Sequence, residues 1–343
     1  MNDLLYMQRA LELAALGKGS VSPNPMVGCV IVYNDQIIGE GWHKKYGGPH
    51  AEVNSIQDVK NKDLLSESTA YVTLEPCSHF GKTPPCADLL ISNRIKKVVI
   101  CNTDPFPQVN GKGIQKLKDA GIEVITGVLE KKGLELNKHF FTSIEQNRPY
   151  VILKWAESVD GFVANPDGSP FPISGQISQM HSHKWRTEED AIMVGSNTVF
   201  KDNPSLTARK WTGKNPIRVI IEGHSSIPDN SHLFDFSVKT FVFTFKVRPD
   251  KENLTFIKIE DGTNLIDFVL TELHNLNIRS LIVEGGPRLH QLFFENGNYD
   301  EVRVFKSKAL MLTHGIQAAV LPKHLVLKNQ YDLREDILNI FSA

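Results

Sequence analysis

The sequence predicts an α/β protein built from two domains. Strand-like and helix-like segments alternate from end to end, and the pattern restarts near Asn147-Arg148-Pro149. The 343 residues amount to about twice an ordinary domain length. On this reading the first domain spans residues 1–146 and the second 147–343. Charge narrows the function: 38 Lys plus Arg against 39 Asp plus Glu leave a net charge of −1. Such a balance disfavours a general binder of nucleic acid or membrane surface, because nothing neutralises a phosphate lattice. No apolar run approaches the ~18–20 residues that span a bilayer. The start, Met1 to Leu16, carries Asp3 and Glu12 and lacks a basic, cleavable leader, so a cytoplasmic location is expected. Four cysteines are too few for a disulfide scaffold and direct attention to metal binding.

The elements follow in order. Asp3 to Leu16 reads as an amphipathic helix, with Leu4, Met7 and Leu11 at helical spacing after an Asn2 or Asp3 cap. Val27 to Tyr33 and Gln36 to Gly41 form a hairpin around the turn Asn34-Asp35. A helix over Ala51 to Val59, a strand over Ala70 to Leu74 and a helix over Ala87 to Asn93 come next. Lys97 to Cys101 (strand), Gly113 to Ala120 (helix) and Glu123 to Thr126 (strand) complete a three-layer α/β domain. The second half has strands at Tyr150 to Trp155, Ala191 to Val194, Ile217 to Ile221, Thr240 to Phe245, Ser280 to Val283 and Glu301 to Phe305. Its helices are Gln176 to Glu188, Ile266 to Asn275 and Arg288 to Glu295.

Chemistry concentrates in Pro49-His50-Ala51-Glu52 and in Glu75-Pro76-Cys77, which runs on to Pro84-Pro85-Cys86. One imidazole and two thiolates suit one Zn²⁺ per chain and leave a fourth position open for water, whose pKa zinc lowers toward ~7. Glu52, two residues beyond the His at a helix start, is placed to shuttle that water's proton. His-x-Glu followed by Pro-Cys is the signature of zinc nucleobase deaminases. Cys29, inside an apolar strand, and Cys101, at the end of one, read as packing residues. The spacing Cys77-x8-Cys86 departs from the generic Cys-x2-Cys because Ser78 to Pro85 is inserted.

That insertion carries a resemblance. The run Thr73-Leu74-Glu75-Pro76-Cys77-Ser78-His79-Phe80-Gly81-Lys82-Thr83-Pro84-Pro85-Cys86, and Pro23-Asn24-Pro25-Met26-Val27-Gly28-Cys29-Val30, resemble the deaminase half of the bifunctional riboflavin biosynthesis family. The resemblance covers residues 1 to about 145. It implies a cytidine-deaminase-like fold and zinc-dependent deamination of a diaminopyrimidinone that carries a ribosylamino 5'-phosphate. Lys82 and His79, with His43 opposite, suit a phosphate dianion. Asn24 suits the pyrimidine edge, and Asp104 the ribose hydroxyls or the ring. Taken alone, Lys82 and His43 also read as solvated surface groups, and Asp104 as a turn former before Pro105.

The second half says less by itself. No G-x-G-x-x-G follows its first strand, which disfavours a Rossmann domain. Glu284-Gly285-Gly286-Pro287 does end a strand and open a helix, an arrangement that can receive a pyrophosphate. Lys154-Trp155-Ala156-Glu157-Ser158-Val159-Asp160-Gly161, Arg186 to Gly195, and Thr198 to Arg209 are similar to the reductase half of the same family. The resemblance implies a dihydrofolate-reductase-like α/β domain that uses NADPH to reduce a ribosyl group to a ribityl chain. By position it places Ala156, Ser174, Thr198, Asp202, Gly285, Gly286, Pro287, Arg288 and Leu289 at the cofactor. Lys154 and Asp202 become catalytic, and Arg186, Leu206, Arg209 and Glu284 hold the substrate. A pair of Arg forks suits a phosphate.

Two segments depart from the family pattern. Asn165 to Ser174 lacks the Ser-x-Trp many relatives carry, with Ser169 or Ser174 and Phe171 in its place. Phe305-Lys306-Ser307-Lys308-Ala309 replaces a proline-lysine stretch. The expectation is a bifunctional enzyme acting on a small phosphorylated pyrimidine, without nucleic acid or membrane, as a homo-oligomer (dimer or tetramer). The competing readings are a deaminase with a degenerate reductase, and a zinc-dependent deaminase of nucleic-acid bases.

Overall fold

A computed structural model describes residues 2–78, 84–107, 109–223 and 227–343. The chain divides into two compact units, Met1–Asn147 and Arg148–Ala343. Among the described residues no helix is long and apolar enough to cross a membrane.

The first unit begins with α1 (Asp3–Ala15), capped by the Asn2 side chain, which accepts from the Leu5 N–H. β1 (Gly28–Tyr33) and β2 (Gln36–Trp42) form the expected hairpin. Asn34 and Asp35 both have positive φ, and Tyr33 pairs with Gln36, as a two-residue turn of primed type requires. Next come α2 (Ala51–Asp58), β3 (Thr69–Leu74), α3 (Cys86–Ser92), β4 (Lys97–Asn102), α4 (Lys112–Asp119) and β5 (Glu123–Thr126). Two short helices, α5 (Glu130–Leu136) and α6 (Lys138–Gln146), close the unit.

The sheet order is β2-β1-β3-β4-β5, parallel from β3 onward. Alternate residues face opposite layers. Cys29, Ile31, Ala70, Val72, Val98 and Ile100 pack beneath α2, α3 and α4, whereas Val30, Val32, Tyr71, Val99 and Cys101 meet α1. The domain is therefore three-layered, and Cys29 and Cys101 are buried packing residues.

Helix α2 lies unusually close to β2. A Cβ on Gly41 would stand 2.3 Å from the Ser55 nitrogen, and one on Gly39 would stand 2.4 Å from the Ser55 carbonyl oxygen. Only glycine permits that approach, and it fixes where the N-terminus of α2 falls.

The second unit contains β6 (Tyr150–Glu157), β7 (Phe162–Ala164), α7 (Gln176–Glu188), β8 (Ala191–Gly195), α8 (Ser196–Asp202) and β9 (Ile217–Glu222). It continues through β10 (Thr240–Thr244), β11 (Leu254–Lys258), α9 (Leu265–Asn275), β12 (Ser280–Val283) and α10 (Pro287–Asn296). It ends in β13 (Glu301–Ser307), β14 (Ile316–Gln317), β15 (Val326–Asp332) and β16 (Asp336–Ser342).

The main sheet runs β11-β10-β9-β8-β12-β6-β13-β16-β15, parallel up to β13 and antiparallel for the last two strands. Leu153, Met193, Val219, Phe243 and Val283 pack with α9 and α10, and Ile152, Ile192, Ile220 and Ile282 pack with Trp185 of α7 and Val199 of α8. β12 returns to lie between β8 and β6, so the carboxyl ends of these three strands meet where the chain direction of strand addition reverses. That is where open α/β sheets bind ligands.

Candidate active sites

In the first unit three donor atoms converge. His50, the residue before α2, has its Nδ1 3.3 Å from Cys86 Sγ and 3.7 Å from Cys77 Sγ, and the three ligand atoms lie within 4.8 Å of one another. Cys77 lies just beyond the end of β3, and Cys86 opens α3, where its own N–H donates to Cys77 Sγ at 3.3 Å. The hydrogen bond with Cys86, assisted by His50, holds the Cys77 thiol down, and the same bond together with burial holds Cys86 up. One imidazole nitrogen and two sulfurs, one stabilised as thiolate by a backbone N–H, fit zinc in chemistry and spacing. Glu52 in the first turn of α2 is 3% exposed and hydrogen-bonded to Cys86; burial pushes its carboxyl up to about 6.

Around this centre the sequence-predicted residues separate. His43, buried, points Nδ1 at the Pro49 carbonyl (3.0 Å) and Nε2 at Asn24 Nδ2 (3.3 Å). A carbonyl can only accept, so Nδ1 carries the proton, Nε2 accepts, and the Asn24 amide is oriented through its nitrogen. Burial lowers the His43 pKa and keeps this neutral tautomer. Asp104 is buried with its carboxyl pushed up to about 6 by desolvation, and one oxygen accepts from the Phe106 N–H at 2.8 Å. The turn-forming role thus uses half of this carboxyl. His79 and Lys82 lie outside the described residues.

Two residues that motif reading passed over also build the site. Asn137, at the junction of α5 and α6, clamps the backbone of Met26 with both ends of its amide (2.8 and 2.9 Å), which fixes the segment bearing Asn24. Glu75, 4% exposed, accepts from four backbone N–H groups. An acid directly after a strand without charged residues and just before Pro-Cys was the available signal for Glu75. Asn137 gave none.

In the second unit a cavity of about 1320 Å³ opens at the carboxyl ends of β6, β8 and β12. Lys154, Ala156, Ser174, Thr198, Asp202, Glu284 and the run Gly285 to Leu289 all line it, as does much of the divergent segment from Pro166 to Ser174. Gly286 adopts φ +62° before Pro287 opens α10. Gly285 is needed by the chain itself, because a Cβ there would stand 2.7 Å from Val194. Cavity size, glycine turn and a helix N-terminus together fit a dinucleotide.

At its floor Glu284 receives Arg186 bidentately (3.0 and 2.7 Å), and Lys154 Nζ lies 3.6 Å away. Burial alone would raise Glu284, but Arg186 and Lys154 hold it at about 2. Burial lowers Lys154 against the pull of Glu284, and partial desolvation raises Asp202, which stays exposed at the cavity mouth. Arg186 also donates to the Thr207 carbonyl, so three of its five N–H groups are engaged within the chain. The fork expected to grip a phosphate is spent on Glu284.

Arg209, exposed, donates to Thr207 Oγ1, while Leu206 is buried with φ +51°. The altered Phe305 is buried, stacked on Trp185 at 5.3 Å, with its ring 5.6 Å from Lys154 Nζ.

These two sites define a chain in which a zinc deaminase unit precedes a nucleotide-dependent reductase unit. Residues 1–102 match the cytidine and deoxycytidylate deaminase zinc-binding region, and residues 149–310 match the RibD C-terminal domain. The chain is 43% identical to the riboflavin biosynthesis protein RibD of Aquifex aeolicus over 90% of this chain and 88% of that one. It is 38% identical to the RibD of Actinobacillus pleuropneumoniae, covering 98% and 94%. The crystal structure of a diaminohydroxyphosphoribosylaminopyrimidine deaminase/5-amino-6-(5-phosphoribosylamino)uracil reductase from Thermotoga maritima superposes with a TM-score of 0.91 at 35% identity, covering 99% and 98%. The chain belongs to the RibD family of riboflavin biosynthesis proteins, bifunctional enzymes with a zinc-dependent deaminase domain and an NADPH-using reductase domain.

Proposed function

We propose that residues 1–147 deaminate diaminohydroxyphosphoribosylaminopyrimidine and that residues 148–343 reduce 5-amino-6-(5-phosphoribosylamino)uracil, the pair of activities carried by the Thermotoga maritima relative. The observation that carries this reading is the convergence of His50, Cys77 and Cys86 beside the buried Glu52 carboxyl. Zinc bound by the three donors supplies Lewis acidity that lowers the pKa of water toward ~7. Glu52 takes a proton from the attacking water and delivers it to the amine, which leaves as ammonia while the oxygen remains as carbonyl. Asn24, fixed through His43, reads the pyrimidine edge; Asp104 meets the ribose or the ring; His79 and Lys82 meet the phosphate.

NADPH bound in the reductase cavity would supply the hydride that reduces the sugar. Ala156, Ser174, Thr198 and Gly285 to Leu289 receive the cofactor. Lys154, or a water ordered by Asp202, supplies the matching proton. Glu284, clamped by Arg186, faces the sugar, and Leu206 and Arg209 hold the rest of the substrate. Incubation of the protein with the diaminopyrimidinone nucleotide tests the scheme. Ammonia should appear without NADPH, and NADPH absorbance should fall only after deamination; a chain that releases no ammonia refutes the first assignment. Free cysteines and NADPH use fit the reducing cytoplasm. The exposed edge strand β15, with Val326, Leu327 and Tyr331 uncovered, supports a homo-oligomer, which light scattering tests.

A further inference from the structure

Glu75 is a buried carboxylate with an unusual set of neighbours. Its Oε1 accepts from the N–H groups of Gly113 (2.9 Å) and Ile114 (3.2 Å), and its Oε2 from those of Gly111 (2.9 Å) and Asp104 (3.2 Å). Among the described residues no Lys or Arg pairs with it, and its four donors are all backbone N–H groups. Three of the four donors belong to the start of α4, whose N-cap position is Gly111, a residue without a side chain to cap with. Glu75 performs that capping from another strand. The approach is close: a Cβ on Gly113 would stand 2.0 Å from the Pro76 carbonyl oxygen.

The fourth donor is the N–H of Asp104. One side chain therefore joins three things: the chain leaving β3 two residues before Cys77, the start of α4, and Asp104. We propose that Glu75 is a positioning residue of the deamination, which holds Asp104 at a set place relative to the Cys77 zinc ligand. This rests on the reading of Asp104 as a substrate contact. A carboxylate is suited to the role because each oxygen can take two donors. The amide of Gln, with one accepting oxygen, would turn its own N–H₂ toward two backbone N–H groups.

The test is a double-mutant cycle of E75Q and D104N in the full chain, read as deaminase KM and kcat, with zinc content and NADPH-dependent turnover as controls. E75Q should retain about one zinc per chain and its reductase rate. Its KM should rise about tenfold with a smaller change in kcat, the equivalent of one charge-assisted hydrogen bond. In the D104N background the same substitution should cost less than about threefold, because its effect passes through Asp104. Losses that multiply independently, or loss of zinc by E75Q, overturn the proposal. A D104N variant with wild-type KM overturns it as well, and differs from the other outcomes by refuting the Asp104 contact itself.

Discussion

Replacing Glu284 by Gln isolates the buried ion cluster at the floor of the reductase cavity. Gln keeps the shape and part of the hydrogen bonding but matches the protonated, uncharged acid. In the folded chain Arg186 and Lys154 hold the Glu284 carboxyl at about 2, against an ordinary value of 4.5. At ~1.4 kcal/mol per pH unit, the charged form is favoured by about 3 kcal/mol. The folded-state pKa lies below the unfolded one, so this stability is complete above pH 4.5 and is lost as the pH falls toward 2. E284Q should therefore melt about 6–12 °C below wild type at neutral pH, the shift expected for a unit of this size. The gap should close as the pH drops through that window. Trp155, Trp185 and Trp211, three of the four tryptophans, lie in this unit, so tryptophan fluorescence during thermal unfolding reports mainly on it. NADPH oxidation should be lost in the same variant. Equal melting temperatures at neutral pH, or a gap unchanged at low pH, would show that Glu284 is not held ionised by its two cations.

Three further outcomes follow from the geometry. E52Q should fold, keep about one zinc per chain and lose deamination by about 10²–10⁴-fold, measured as ammonia release; unchanged turnover removes Glu52 from proton transfer. K154A should abolish NADPH oxidation while ammonia release continues, and loss of both would argue against independent sites. G41A should push α2 away from β2, costing about 1–3 kcal/mol and lowering zinc occupancy, because the helix that follows His50 moves. Denaturation followed with metal analysis checks this, and a wild-type zinc content would refute it.

Much of this architecture was legible from periodicity. The hairpin at Asn34-Asp35 and the strands that alternate faces announce themselves locally, because each residue's preference agrees with its place. The zinc donors were legible for a different reason: few roles place His-x-Glu and two Cys behind prolines at those spacings. The last strands of the reductase sheet escaped notice. β15 is exposed along its whole length, so no buried face imposes alternation on its sequence. α8 was missed because it has only seven residues, bounded by the extended Gly195 and by Asn203 in the left-handed region. The family resemblance offers Arg186 as a substrate contact, but its commitment to Glu284 depends on the adjacency of α7 and β12, which no local pattern encodes. Glu75 and Asn137 share that property, since both bond to backbone far away in sequence.

The Asn137 clamp bears on how small a working deaminase can be. The zinc-binding family region ends at residue 102, and every zinc donor lies within it. Yet the amide that steadies the Asn24 segment comes from the α5–α6 junction, more than thirty positions later. A fragment trimmed to the recognisable motif would keep its metal donors while losing the strut behind Asn24, the side chain proposed to meet the pyrimidine. In this chain a polar crosslink near the end of the domain supports the Asn24 segment, and shortening the chain should erode substrate affinity before it removes zinc.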